Sequence, residues 1–83
     1  MSEPTGDVRT LVEQIAKSLV DAPAEVLVYQ VQEGDETVIE LEVAPSDMGK
    51  VIGKNGRTVR ALRCLVSAAG FRQQKRFALE ILE

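Results

Sequence analysis

The segment best suited to chemistry is Val51-Ile52-Gly53-Lys54-Asn55-Gly56-Arg57-Thr58-Val59. Two glycines flank two polar residues, with one helical pattern ending before them and another starting after. Glycine takes turn conformations at no steric cost and leaves no side chain in the way of a close ligand. The amides that open the following helix are unpaired and lie at the positive end of its dipole, which suits an anion. Lys54 puts a cation at the loop tip and Arg57 stands just inside the next helix. That is chemistry for a phosphate. A nucleotide-binding P-loop does not fit. Gly49 to Asn55 has three residues between its glycines instead of four, and Asn55 stands where a magnesium-binding hydroxyl belongs. The GxGxxG fingerprint fails too, because no glycine lies two before Gly53.

The charge distribution sharpens this. Residues 1–44 carry ten acids and two bases, a net −8, and residues 45–83 carry eight bases and three acids, a net +5. All eight bases of the second half, Lys50, Lys54, Arg57, Arg60, Arg63, Arg72, Lys75 and Arg76, fall in a window with no acid. A polyanion responds to the field within a Debye length, ~8 Å at physiological salt, so this window outweighs the overall −3. Charge alone leaves two readings open: a solvated basic face that balances the acidic half, or a nucleic-acid contact.

Other chemistry is thin. With no histidine and one cysteine, the usual zinc sites and the Ser-His and Cys-His pairs are missing, and no internal disulfide can form. The carboxylates lie on strand faces and turns without a partner base. No enzyme, no metal, no cofactor and no small-molecule substrate are expected. Cys64 reads as a small apolar residue. No run approaches the ~18 apolar residues that cross a membrane, and no basic start leads into an apolar stretch, so neither anchor nor signal peptide is expected. A reducing, cytoplasmic compartment is the expectation.

At 83 residues the chain supports one small core. Residues 1–6 read as a frayed start and 7–83 as a single domain. Val8, Leu11, Val12, Ile15, Leu19 and Val20 mark one face of a helix that Asp7 caps, a Glu13–Lys17 pair supports and Pro23 stops. Residues 24–33 and 37–43 alternate as strands about a Gly34-Asp35 turn, with Gln30, Gln32, Glu40 and Glu42 expected on one polar face. Pro45-Ser46-Asp47 opens a short helix that Ser46 or Asp47 can cap, running into Gly53. A second helix spans 57–69 with Gly70 as its stop, and 76–82 alternates as a third strand. The order is α-β-β-α-α-β, an α+β fold with helices covering one face of the sheet.

Val51-Ile52-Gly53-Lys54-Asn55-Gly56 resembles the (V/I)IGxxG signature of KH domains, in which a GxxG loop between two helices clamps about four nucleotides. The element order is similar to the type II arrangement over residues 8–82, which implies a three-stranded mixed sheet. The run from Gly53 to Arg63 resembles the small stand-alone bacterial KH-domain proteins of the KhpA type. That resemblance implies single-stranded RNA binding of low sequence specificity and an RNA-chaperone or post-transcriptional role. It also implies a homodimer, or a heterodimer with a larger KH-domain protein (KhpB, also called Jag or EloR), and a link to cell-shape and cell-wall control. The implied contacts are Gly53 and Gly56 as backbone platform, Lys54 on phosphate and Asn55 as a hydrogen-bonding loop residue. Lys50, Arg57 and Arg60 would stand at the groove mouth. Ile52 and Val59 would hold bases, with Val38 or Ile39 opposite. Arg63, Arg72, Lys75 and Arg76 divide between contact and solvated face. The three aromatics, Tyr29, Phe71 and Phe77, make no RNP-like stacking pair, which suits a KH groove better than an RRM or OB-fold. Two other functions stay in view: a protein-interaction adapter that dimerises through the fold, and a single-stranded DNA binder.

Overall fold

Residues 7–83 are described by a computed structural model. The expected frayed start, 1–6, lies outside the described residues. Helix α1 is Val8–Leu19, strands β1 and β2 are Leu27–Glu33 and Glu36–Glu42, and helices α2 and α3 are Met48–Ile52 and Arg57–Arg72. Strand β3 is Arg76–Ile81. The expected element order holds. In the sheet the order is β1-β2-β3, with β1 antiparallel and β3 parallel to the central β2.

Local chemistry explains most boundaries. Asp7 caps α1 by accepting from the Thr10 amide at 3.0 Å, and the Thr10 hydroxyl, followed by this amide bond, holds its carboxyl below the usual range. Glu13 pairs with Lys17 at 3.1 Å and with Arg9 at 3.5 Å. After α1, Pro23–Glu25 forms a single 3-10 turn. Gly34 takes a φ of +62° in the two-residue turn that pairs Glu33 with Glu36. Val12 and Ala16 of α1, Ile39 and Leu41 of β2, Leu79 of β3, Val51 of α2, and Leu62 and Val66 of α3 close one core.

Three local expectations are corrected. First, the tight turn sets a register in which Gln30 lies opposite Ile39 and Gln32 opposite Thr37. The two glutamines therefore share the helix-side face with the core, and Leu27, Tyr29 and Val31 join Val38, Glu40 and Glu42 on the outer face. Alternation alone left open which half of β1 pointed inward. Second, Asp47 does not cap α2; no side chain does. Third, Gly70 is not a helix stop. It sits inside α3, where a Cβ would meet the Lys75 carbonyl oxygen and Phe77 Cδ1, both at 2.9 Å. Its role is the close approach of β3.

The true stop is four residues later. The Lys75 amide donates to the Gly70 carbonyl at 2.8 Å and the Gln74 amide to the Phe71 carbonyl at 3.0 Å, a Schellman motif with Gln74 at φ +58°. Gly70→Ala is expected to destabilise the fold by about 1–3 kcal/mol, as overpacking does. Urea unfolding checks this as a lower midpoint with an unchanged slope.

Candidate nucleic-acid interface

The loop between α2 and α3 is built from three left-handed residues. Gly53 has φ +78°, Asn55 +58° and Gly56 +74°. A plain helix-helix turn needs no more than one. The Gly53 amide closes α2 onto the Gly49 carbonyl at 2.9 Å, and the Gly56 amide donates to the Gly53 carbonyl at 3.0 Å. Behind Gly53 stands Thr58, whose Cβ and amide nitrogen would lie 2.7 and 2.8 Å from any Cβ added there. At Gly56 the surroundings are roomier, and the positive φ is the constraint.

Helix α3 begins directly after this turn with no capping side chain and no acid in its first turn. Its dipole is left uncompensated toward the loop. Lys54 and Asn55 are exposed at the tip and Arg57 is exposed one residue past Gly56. Arg60 reaches back, donating from Nη2 to the Asn55 carbonyl at 3.0 Å, so it braces the loop and brings its charge to it. The result is a turn of positive-φ backbone at the start of α3 with cations at 54, 57 and 60 about it, chemistry that suits an anion.

The other expected site residues separate. Ile52, 36% exposed, presents an apolar surface beside the loop, whereas Val59 is 8% exposed and packs inward. Neither Val38 nor Ile39 offers an opposite wall, because Ile39 is in the core and Val38 is buried on the outer face. Lys50 is held in ion pairs, 3.3 Å from Asp21 and 3.7 Å from Asp47. These two partners, Asp21 before Asp47, raise its pKa. Lys54, Arg57, Arg60, Arg63, Arg72, Lys75 and Arg76 make no ion pair among the described residues.

The residue that sequence reasoning missed is Asp47. It is 1% exposed, and its two oxygens accept from the Asp21 and Ala22 amides at 3.2 and 3.0 Å. It ties the α1–β1 connection to the start of α2 and so fixes the helix that leads into the loop. Burial alone would raise its pKa. The two amide bonds and the Lys50 charge outweigh this and hold it below the ordinary 3.8. A carboxylate at the start of a short helix reads as a cap, and nothing local in the sequence announces partners 25 and 26 residues away. Among the described residues no group of three or more His, Cys, Asp or Glu could hold a metal, and no helix is long and apolar enough to cross a membrane.

Residues 9–81 match the family described as KhpA/KhpB, KH domain. The chain is similar to the RNA-binding protein KhpA of Clostridium acetobutylicum, at 50% identity over 89% of this chain and 99% of that one. It is similar to the RNA-binding protein KhpA of Halalkalibacterium halodurans at 52% over 90% and 99%. The same holds for that of Aquifex aeolicus at 48% over 90% and 95%. In fold it resembles a crystal structure of a point variant of Aquifex aeolicus Era bound to GDP and aluminium fluoride. There the TM-score is 0.59 at 15% identity, covering 98% of this chain and 31% of that longer one.

Two outcomes follow from the loop and its tie. Gly56→Ala incurs the left-handed penalty of about 1–2 kcal/mol, and Gly53→Ala is expected to cost more, because φ 78°, ψ 168° is backbone that essentially only glycine adopts and Thr58 blocks the added carbon. Paired denaturant titrations rank the two. Asp47 has a depressed folded pKa, so its contribution is present above 3.8 and is lost as pH falls through the lower folded value. An acid unfolding titration of Asp47→Asn is expected to show a shallower acid limb than wild type, with the part owed to Asp7 remaining.

Proposed function

The chain belongs to the KhpA/KhpB KH-domain family, and from that premise we propose that it is a non-catalytic binder of single-stranded RNA. The observation that carries this is the loop itself: left-handed backbone at Gly53, Asn55 and Gly56, opening onto the uncapped start of a 16-residue helix with an unpaired Lys54 at its tip. One phosphate sits against the loop backbone and the α3 dipole. Lys54 and Arg57 neutralise it and its neighbour. Asn55 offers its amide to the backbone or a base edge. Arg60 holds the loop open, while Ile52, backed by Val59, gives a base an apolar surface. Lys50 serves first as the clasp on Asp47 and Asp21 and adds positive field at the groove mouth. Low sequence specificity follows from a site made of backbone and cations, and an RNA-chaperone or post-transcriptional role in the cytoplasm is the matching cellular use.

A second reading, the adapter, is favoured by one surface. Ala61, Leu65 and Ala68 lie exposed along α3 at helical spacing, with Leu65 50% exposed. This stripe fits a second copy or the KH domain of a larger partner of the KhpB type, through which a cell-shape role would run. Two joined sites would also raise the avidity of one weak site.

The test is fluorescence anisotropy with a short unstructured RNA, and the same sequence as DNA, across several salt concentrations. Wild type is expected to bind RNA with a log–log salt slope of roughly −0.7 per phosphate contact. A Lys54→Asp/Asn55→Asp variant, folded by circular dichroism, is expected to lose that binding. Equal binding by both proteins would remove the loop as the site. A dimer mass by light scattering without RNA binding would leave the adapter.

A further inference from the structure

Phe71 is 84% exposed, where the next most exposed large apolar residue, Leu65, is 50% exposed. An isolated exposed apolar residue needs no explanation. This one is not isolated. It borders an open hollow lined also by Arg72, Gln74, Lys75 and Arg76, and a second, shallower one shared with Ser67 and Phe77. The Schellman turn folds the chain back after α3 and sets Lys75 and Arg76 beside the ring. None of Arg72, Lys75 and Arg76 makes an ion pair among the described residues, and Glu36, the neighbour of Arg76 across the β2–β3 pairing, is the one acid lining either hollow.

We propose that this end of α3 is a second contact for the same RNA strand, with the Phe71 ring stacking a base and Arg72, Lys75 and Arg76 meeting the flanking phosphates. The inference rests on RNA binding at the 53–56 loop and extends it. An exposed aromatic among uncompensated cations is how single strands are held without sequence preference. An apolar protein partner would have to strand three charges against it. Position agrees as well. Residues 57, 60, 64, 67 and 71 follow one another at helical spacing, so Arg57, Arg60 and Phe71 share the outer side of α3. Fourteen residues separate Arg57 from Phe71, about 21 Å along the axis. A strand of about four nucleotides fills the loop, and a longer one continues along α3 to the ring.

The experiment compares a fluorescein-labelled tetrauridylate with a dodecauridylate. Phe71→Ala changes an exposed side chain and is expected to leave tetrauridylate affinity unchanged while lowering dodecauridylate affinity roughly 5- to 150-fold, the range of one stacked base. Phe71→Trp is expected to restore it. Because the chain has no tryptophan of its own, that variant also reports stacking as quenched emission on adding the dodecauridylate. Undiminished dodecauridylate binding by Phe71→Ala, beside its loss in the Lys54→Asp/Asn55→Asp variant, overturns the second contact and leaves the loop site standing. A changed oligomeric mass of Phe71→Ala with unchanged RNA binding also overturns it and makes the ring a protein contact. If wild type binds neither RNA, both readings fall together.

Discussion

Helix α2 has five residues, too few to hold its own hydrogen bonds in water. It persists because Asp47 reaches across to the Asp21 and Ala22 amides and Val51 is buried beneath it. Lys50 closes the arrangement from the solvent side. A buried carboxylate with two amide donors and a cation is fully satisfied, which is the condition under which burying a charge is tolerable. Everything downstream inherits this anchor. The direction in which α2 ends sets where Gly53 turns, and Thr58 packed behind Gly53 sets how α3 departs. The loop is rigid at both ends before any ligand arrives, so little ordering remains to be done on binding.

An acidic protein that offers a basic site has to keep its two signs apart, and the fold does so by layer. The register places Glu33, Glu36, Glu40, Glu42 and Glu80 on the outer sheet face, where Arg76 opposite Glu36 is the one base that joins them from β3. Arg9 and Lys17 on α1 are taken up by Glu13, and Lys50 by Asp21 and Asp47. Among the described residues, the bases left without ion pairs are those of the loop, of α3 and of the turn behind it, together with Arg76 at the start of β3. The net charge therefore says little about what the helix side meets, and the outer face turns polyanions away.

What could be read from the sequence was what is local. Periodicity, the Asp7 cap, the Gly34-Asp35 turn and the GxxG segment each act within a few residues, and each was legible with its element. The inward half of β1 was not, because only the pairing with β2 turns Val28 and Gln30 toward the core and Tyr29 and Val31 away from it. Gly70 looked like a stop because glycine often is one. Its actual reason is the carbonyl of Lys75 and the ring of Phe77, which come close only once β3 has docked. Asp47 was misassigned for the same reason, since its partners are distant in sequence. Val59 shows the same limit within the site: helical spacing placed it correctly on a stripe, and only packing decided that the stripe faces inward.

The parallel pairing of β2 with β3 has one more consequence. Parallel neighbours cannot be joined by a tight turn, and the whole path from one to the other here is the 3-10 turn, α2, the glycine loop and α3. The hairpin β1–β2 can close early from nearby residues, but the third strand is recruited only when that crossover has found its shape. The segment proposed to meet RNA is thus also the segment whose folding completes the sheet. A ligand held by that loop would bind only the chain whose crossover is formed, so its binding free energy would be added to the closure of β3 on β2.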